Sequence, residues 1–363
     1  MLTHPETAMN PLESQIHYPF NDALPSEGST LEIAPGIRWI RMGLPFALDH
    51  INLWLLRDRR KDARGAWVDG WTVVDCCIDS ATTRAQWEQV FAHSLDGLPI
   101  LRVIVTHMHP DHIGLAHWIC ERWQAPLWIS ATDYNAARNS VYDRHGFGGE
   151  ANADFYALHG MRDETFLRHV RERVSYFPTL VPALPPSFHR MQDQDLVDIG
   201  EFSWKCISGY GHAPEHIALY CQDQGLLLSG DMVLPRISTN VSVHAVEPEA
   251  DSLRLFLSSL ERYLELPPTT LVLPSHGKPF TGLHERIQQL QAHHEERLND
   301  IMEASKTQPL SAADILPILF KRPLDSHQMT FAMGEALAHL HYLWHGGRLV
   351  RSLDATGIHR FSH

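Results

Sequence analysis

His107-Met108-His109-Pro110-Asp111-His112 is the stretch on which the fold and the chemistry of this chain turn. It follows Leu101-Arg102-Val103-Ile104-Val105-Thr106, a mainly apolar run that reads as a buried strand, and a helical period begins behind it. Three imidazoles and a carboxylate at a strand-to-helix turn suit a d-block ion such as zinc, which takes nitrogen and oxygen donors. On an extended stretch His107 and His109 point to one side and can share an ion. The chain then bends into a helix, so Asp111 and His112 face elsewhere and can hold a second. His makes up 25 of 363 residues, so a chance match to this pattern anywhere is roughly one in a hundred.

Three later segments repeat the theme of a strand followed by a polar loop. Trp204-Lys205-Cys206-Ile207 leads to Gly211-His212-Ala213-Pro214-Glu215-His216, Leu226-Leu227-Leu228 to Ser229-Gly230-Asp231, and Leu271-Val272-Leu273 to Pro274-Ser275-His276-Gly277. With His107-x-His109-x-Asp111-His112, these segments resemble the signature of the metallo-β-lactamase superfamily, over roughly Leu31 to Phe280. The resemblance implies an α/β architecture, the αβ/βα four-layer sandwich. It also implies that His107, His109 and His212 hold one metal, that Asp111, His112 and His276 hold a second, and that Asp231 bridges both. Two Zn2+ ions are expected, with iron or manganese as other divalent choices. A carboxylate has two oxygens and can span ions ~3.5–4 Å apart, and metal binding brings the pKa of water to about 7, giving hydroxide at neutral pH. Asp111 is expected to orient that hydroxide as well as ligate, and so to be the catalytic residue.

Composition bounds the alternatives. With 44% hydrophobic and 20% charged residues, the chain buries a full core, and its length suggests one large domain and a small one. A formal net charge of −13 argues against bulk nucleic-acid binding, which rests on Lys and Arg. The five cysteines, Cys76, Cys77, Cys120, Cys206 and Cys221, show no zinc-ribbon spacing and read as reduced buried thiols. Neither a signal peptide nor a membrane-spanning run is evident, so the expected location is cytoplasmic, with no membrane partner.

Residues 1–30 read as a polar arm and 31–282 as the catalytic domain. Ile37–Arg41, Ile51–Leu56 and Trp71–Asp75 are expected strands, with a charged turn at Arg57–Arg64. The superfamily usually carries Asp-Thr-Gly where this chain has Asp75-Cys76-Cys77. Asp75 is expected to support the metal loops from behind, while a position needing positive φ tolerates Cys poorly. Residues 133–198 form an expected cap insertion, helical from Asp163 to Val174 and irregular over the four prolines of Phe177–Pro186. Tyr142, Arg144, His145, Tyr156 and His159 are candidates to line the cleft, with Tyr142 and His145 taken as substrate contacts. Arg236, five residues past Asp231, is a third, able to hold a substrate carboxylate or phosphate bidentately.

From Leu283 an apolar stripe at helical spacing runs to Met302. A capping box at Ser311–Asp314 opens a second helix, and a third runs from a Ser326 cap to His345. Leu349–Arg351 and Ile358–Phe361 flank a turn and read as a hairpin. Residues 283–363 thus resemble a winged helix, as in the branch holding the β-lactamase-like endoribonuclease and hydroxyacylglutathione-hydrolase-like enzymes. Histidines 284, 293, 294, 327, 339, 341 and 345 are expected at interfaces or on the surface, not around another metal.

The function expected from this resemblance is hydrolysis of a small anionic ester or thioester by a binuclear metal centre. An endoribonuclease or phosphodiesterase of the same superfamily is the alternative, and a mononuclear iron persulfide dioxygenase the second alternative. A homodimer is compatible with the sequence.

Overall fold

The structure, a computed structural model, describes residues 11–142, 148–174 and 176–363. Seven strands form one sheet in sequence order: β1 (Leu31–Ala34), β2 (Ile37–Gly43), β3 (His50–Lys61), β4 (Trp67–Val74), β5 (Ile100–Ile104), β6 (Leu127–Ile129) and β7 (Phe188–Arg190). The first four pair antiparallel, while β4 to β7 run parallel. That change follows from the connections: β4, β5 and β6 are each followed by helix (Ala81–His93, Pro110–Ile113 with Ala116–Trp123, and Ala131–Tyr142) before the next strand. The second sheet holds β8 (Leu196–Ile199), β9 (Phe202–Gly209), β10 (His216–Cys221), β11 (Leu226–Gly230) and β12 (Leu271–Pro274), with β11 and β12 parallel.

The sheets pack face to face through Trp39, Trp54 and Ile104 on one side and Trp204, Leu219 and Leu228 on the other. Outside the first sheet, Trp87, Ile113 and Ile119 bring helices onto Val73 and Val103. Outside the second, Phe256, Leu260 and Ile287 cover Ala218 and Leu227. This is the helix–sheet–sheet–helix sandwich expected from the sequence. Parallel β4 and β5, and parallel β11 and β12, end at the same rim, and the loops that follow them meet there.

The stretch Arg57–Arg64 is mostly strand, not turn: β3 continues to Lys61 and pairs residue by residue with β4, Arg57 opposite Trp71 and Lys61 opposite Trp67. Its buried charge, Asp58, is neutralised by a partner remote in sequence. Asp58 and Arg102, 1% and 4% exposed, form a two-point ion pair at 2.8 and 3.1 Å, and Asp58 also accepts from Thr72 Oγ1 and the Gly200 amide. The turn is confined to Asp62–Ala66, where the Asp62 carboxylate accepts from the amides of Arg64 and Ala66. Within 133–198, the helices Gly149–Leu158, Glu164–Glu172 and Tyr176–Leu180 lie outside the sheets, whereas β7 and part of β8 belong to them. The last of these helices forms despite Pro178, because a proline in the first turn removes an amide that has no helical acceptor anyway.

The C-terminal region packs helices Leu283–Ser305, Ala312–Leu319 and Ser326–His345 against one another, followed by the antiparallel hairpin of β13 (Val350–Leu353) and β14 (His359–Ser362). Ser311 and Asp314 make the reciprocal cap. The third helix is capped by Asp325, not Ser326, with Gln328 returning the bond. No helix among the described residues is long and apolar enough to cross a membrane.

The buried Asp58–Arg102 pair gives the first prediction. Arg102→Ala leaves a carboxylate buried without its cation, so urea unfolding should show a loss of about 3–5 kcal/mol. A loss below about 1 kcal/mol, the range of exposed pairs, would mean that water reaches the site.

Candidate metal centre

All seven residues picked from the sequence come together at the rim. The bend after β5 brings His107 Nε2 within 3.0 Å of His109 Nδ1 and 3.2 Å of His212 Nε2. The chain bends over residues 106–109, although His109 itself keeps an extended backbone, and Met108 turns away into the core. Pro110 opens the single-turn helix Pro110–Ile113, which carries Asp111 and His112. Their side chains meet His276, with Asp111 Oδ2 3.4 Å from His276 Nε2 and 3.6 Å from His112 Nε2. Asp231 stands between the groups: Oδ2 is 3.3 Å from His212 Nε2, and Oδ1 is 3.5 Å from the Nε2 atoms of both His112 and His276.

The carboxylate–imidazole distances are long for hydrogen bonds but suit donors arranged around a shared cation. His112 Nε2, His276 Nε2 and Asp231 Oδ1 are buried with no hydrogen-bond partner, a costly state unless another group satisfies them. Three sets of donor atoms lie close enough to share an ion: His107, His109 and His212; His107, His112 and Asp231; Asp111, His112 and His276. The donor set therefore fits divalent metal.

Electrostatics point the same way. Burial pushes the imidazole of His109 down to about 3 and that of His107 well below the usual range, so both present lone pairs. Burial would do the same to His112 and His276. There the carboxylates prevail: Asp75, Asp111 and Asp231 lift His112 to about 9, and Asp231 and Asp111 lift His276 to about 10. The cluster demands positive charge, which bound cations supply in place of protons.

The imidazoles are aimed from behind by hydrogen bonds that fix which nitrogen faces inward. His112 Nδ1 donates to Asp75 Oδ2 at 2.8 Å, and Asp75 also accepts from the Thr106 amide and hydroxyl. His212 Nδ1 donates to the Asn240 carbonyl and His276 Nδ1 to that of His50, each at 2.7 Å. The turn at Asp75-Cys76-Cys77 is made without glycine: Asp75 and Cys77 sit at φ 61° and 68°. The chain accepts this left-handed backbone because Cys76 N and Cys77 O bond across to His112 O and Leu115 N.

Four supporting residues lie outside the seven candidate ligands and the Asp75 turn. Asp133 accepts from the amides of Met108 and Glu215, tying two ligand loops together; burial raises its pKa to about 6. Asn52 donates to the carbonyls of Pro274 and Gly277, and His50 Nε2 accepts from the Gly277 amide, so β3 grips the His276 loop. His216 Nε2 accepts from the Asp231 amide. A Cβ on Gly230, at φ 52°, would lie 2.0 Å from that nitrogen, so only glycine fits there. Of the four, His216 alone had a sequence cue, its i+4 spacing from His212.

A model of the metallo-beta-lactamase superfamily matches residues 68–276, which contain every one of these ligand loops. The chain belongs to the metallo-β-lactamase superfamily. A second model, the metallo-beta-lactamase-like C-terminal domain, matches residues 298–363. Among curated relatives the chain is 25% identical over 313 residues to a probable metallo-hydrolase, YqjP, of Bacillus subtilis (strain 168), covering 84% of this chain and 91% of that one. A crystal structure of a beta-lactamase domain protein from Burkholderia ambifaria is 52% identical with a TM-score of 0.91, covering 98% of this chain and all of the other. A metallo-beta-lactamase family protein from Thermus thermophilus is 26% identical with a TM-score of 0.73, over 92% and 100%.

In this superfamily member the ligand cluster floors a cavity of about 400 Å3, walled by the β2–β3 loop, the helices of 149–180 and the start of helix Ser326–His345. Two of the three expected substrate contacts, Tyr142 and Arg236, are not among its lining residues. Tyr142 is 70% exposed, and Arg236 lies 3.8 Å from Glu13. Arg144 and His145 fall outside the described residues. Tyr156 does line the cavity, whereas His159 is buried, donating to the Phe155 carbonyl and stacked on His359. Arg173 and Tyr176, which carry no motif in the sequence, are wall residues.

Asp75 gives the second prediction. Asp75→Ala should weaken metal affinity about 10–100-fold, measured by competition with a chromogenic chelator, while the fold persists. Unchanged affinity would show that His112 needs no support from behind.

Proposed function

We propose that this metallo-hydrolase cleaves a small ester or thioester, with two divalent metals at the rim. His107, His109 and His212 would hold one, Asp111, His112 and His276 the other, and Asp231 would serve both through its two oxygens. The observation that carries the reading is the enclosure of this cluster. It lies at the floor of a largely apolar cavity of about 400 Å3, within the usual range for small-molecule sites, in a chain of net charge −13. That setting suits a compact acyl substrate and offers little to a polyanion such as RNA.

Bound metals supply Lewis acidity toward a carbonyl and make a nucleophile available from water near neutral pH. The protein's own groups do the rest. Asp111 faces the cavity and accepts a hydrogen bond from the attacking water, fixing its approach. The apolar wall from Leu44, Phe46 and Leu48 displaces other water and strengthens every polar interaction at the floor. Water oxygen bonds to the acyl carbon, the acyl–oxygen or acyl–sulfur bond breaks, and the departing alcohol or thiol leaves with a proton.

The test is metal analysis followed by a panel of thioesters, esters, lactones, phosphodiesters and RNA. Two metals per chain and turnover of an acyl substrate are expected. Asp231→Ala should lower occupancy of both metals, whereas His276→Ala should spare one. Asp111→Ala should cut kcat by at least about 100-fold. Single-stranded RNA cut faster than any acyl substrate, with a steep fall in salt, would overturn the reading, as would one iron per chain with oxygen consumed on a persulfide.

A further inference from the structure

Arg173 ends the helix Glu164–Glu172 and reaches the cavity where the 149–180 segment meets the C-terminal helices. Its guanidinium lies 3.8 Å over the Tyr176 ring and donates to Thr330 Oγ1 at 3.1 Å. Among the described residues no carboxylate pairs with it. Other sheltered arginines differ: Arg102 faces Asp58, Arg262 faces Asp193 and Arg351 faces Glu249. Arg286 instead donates to the carbonyls of Leu234 and Ile237. A half-buried guanidinium held by the Thr330 hydroxyl and the Tyr176 side chain, with no carboxylate partner among the described residues and opening into a cavity, is a charge left for a ligand.

Its placement relates it to the metal floor. Tyr176, the ring beneath the guanidinium, starts the helix Tyr176–Leu180, which packs on the helix carrying Asp111 and His112. The Asp111 charge contributes to raising the Tyr176 hydroxyl pKa, after burial. Beside them the His327 ring lies 5.9 Å from Tyr176, 5.8 Å from Phe46 and 5.1 Å from Phe331. Burial, then Arg173 itself, lowers the His327 pKa, which favours the neutral ring stacked on Phe46. A ligand in the cavity thus meets donors at the floor, the rings of Phe46, Tyr176 and His327, and the sheltered Arg173 guanidinium; the other arginine of the lining, Arg322, is exposed and donates to Gln328. One sheltered positive charge among the described lining residues matches a carboxylate better than a phosphate, which carries roughly −1.5 to −2.

We propose that Arg173 is a specificity-determining residue that binds a carboxylate at the far end of the acyl group. The substrate is then a half-ester or half-thioester of a short dicarboxylic acid, with its apolar stem against Phe46 and His327. This rests on the hydrolase reading above, which supplies the reacting end.

The test uses the full-length zinc-loaded protein and calorimetric titration with linear dicarboxylates from succinate to suberate, each against the monocarboxylate of equal length. At one chain length the dicarboxylate should bind about 10-fold or more tightly than its partner. Arg173→Gln should erase that difference while leaving zinc content and monocarboxylate affinity unchanged, which a merely structural role would not do. Arg173→Lys should keep part of the preference, since it retains charge without the planar fork. If Arg173→Gln does not fold, Thr330→Val removes the hydroxyl that orients the guanidinium and should shrink the preference. No dicarboxylate preference at any length, or one that survives Arg173→Gln, overturns the proposal. Hydrolysis assays on charged and neutral thioesters separate the two readings. An Arg173-dependent preference in a protein that hydrolyses no acyl substrate keeps the carboxylate site and removes the hydrolase. Hydrolysis indifferent to acyl charge removes the carboxylate site alone.

Discussion

Four loops, each following a strand, must place seven polar side chains in one buried spot. Imidazoles in a dry site resist protonation and carboxylates in a dry site resist ionisation, so the cluster holds only if charge is balanced and each ring is pinned. Asp75 does much of this. Its carboxylate sits at the end of β4, accepts from His112 and Thr106, and so joins the β5 loop to the neighbouring strand. Asp133 repeats the device one strand further, joining the β5 loop to the β9–β10 turn. Rigid strands thus fix the loops, and the loops fix the donors.

The local part of this arrangement is legible in sequence because it is local. His107 to His112 are neighbours, and their spacing already divides them into two groups. His212, Asp231 and His276 are legible only through their order after strands, which resemblance to the superfamily makes readable. What could not be read depends on partners far along the chain. Arg57–Arg64 looks like a charged turn because nothing nearby says that Arg102, 44 positions away, will pair with Asp58, or that Trp67 will lie under Arg59. Arg236 looked well placed by its distance from Asp231 in sequence, yet the loop carries it toward Glu13.

The cavity makes the same point about specificity. Its floor comes from both sheets, but its walls come from the β2–β3 loop, the 149–180 helices and the start of helix Ser326–His345. Tyr156 donates to the Thr330 carbonyl and Arg173 to the Thr330 hydroxyl, so two of these walls are bonded to each other. Chemistry and selectivity are therefore carried by different parts of the chain. Substitutions in the walls can change what is bound without touching the donors that act on it.

The abundance of histidine, 25 in all, has a physical explanation beyond the metal floor. Outside it, many histidines donate to backbone carbonyls, most of them in turns. His341 and His345 donate to the successive carbonyls of Ala250 and Glu249, and His284 to that of Leu266. His339 donates to the Glu335 carbonyl and lies 3.2 Å from His294. Burial lowers His341 and His339 to about 4 and His294 to about 2, which keeps them uncharged inside the protein. A neutral imidazole fills space like an aromatic ring while offering one N–H, and lysine or arginine in these places would bury a charge instead. The same device, one ring nitrogen tied to a backbone carbonyl, leaves the other nitrogen of His212 facing the candidate metal site. The interface histidines and this ligand differ in what the second nitrogen meets.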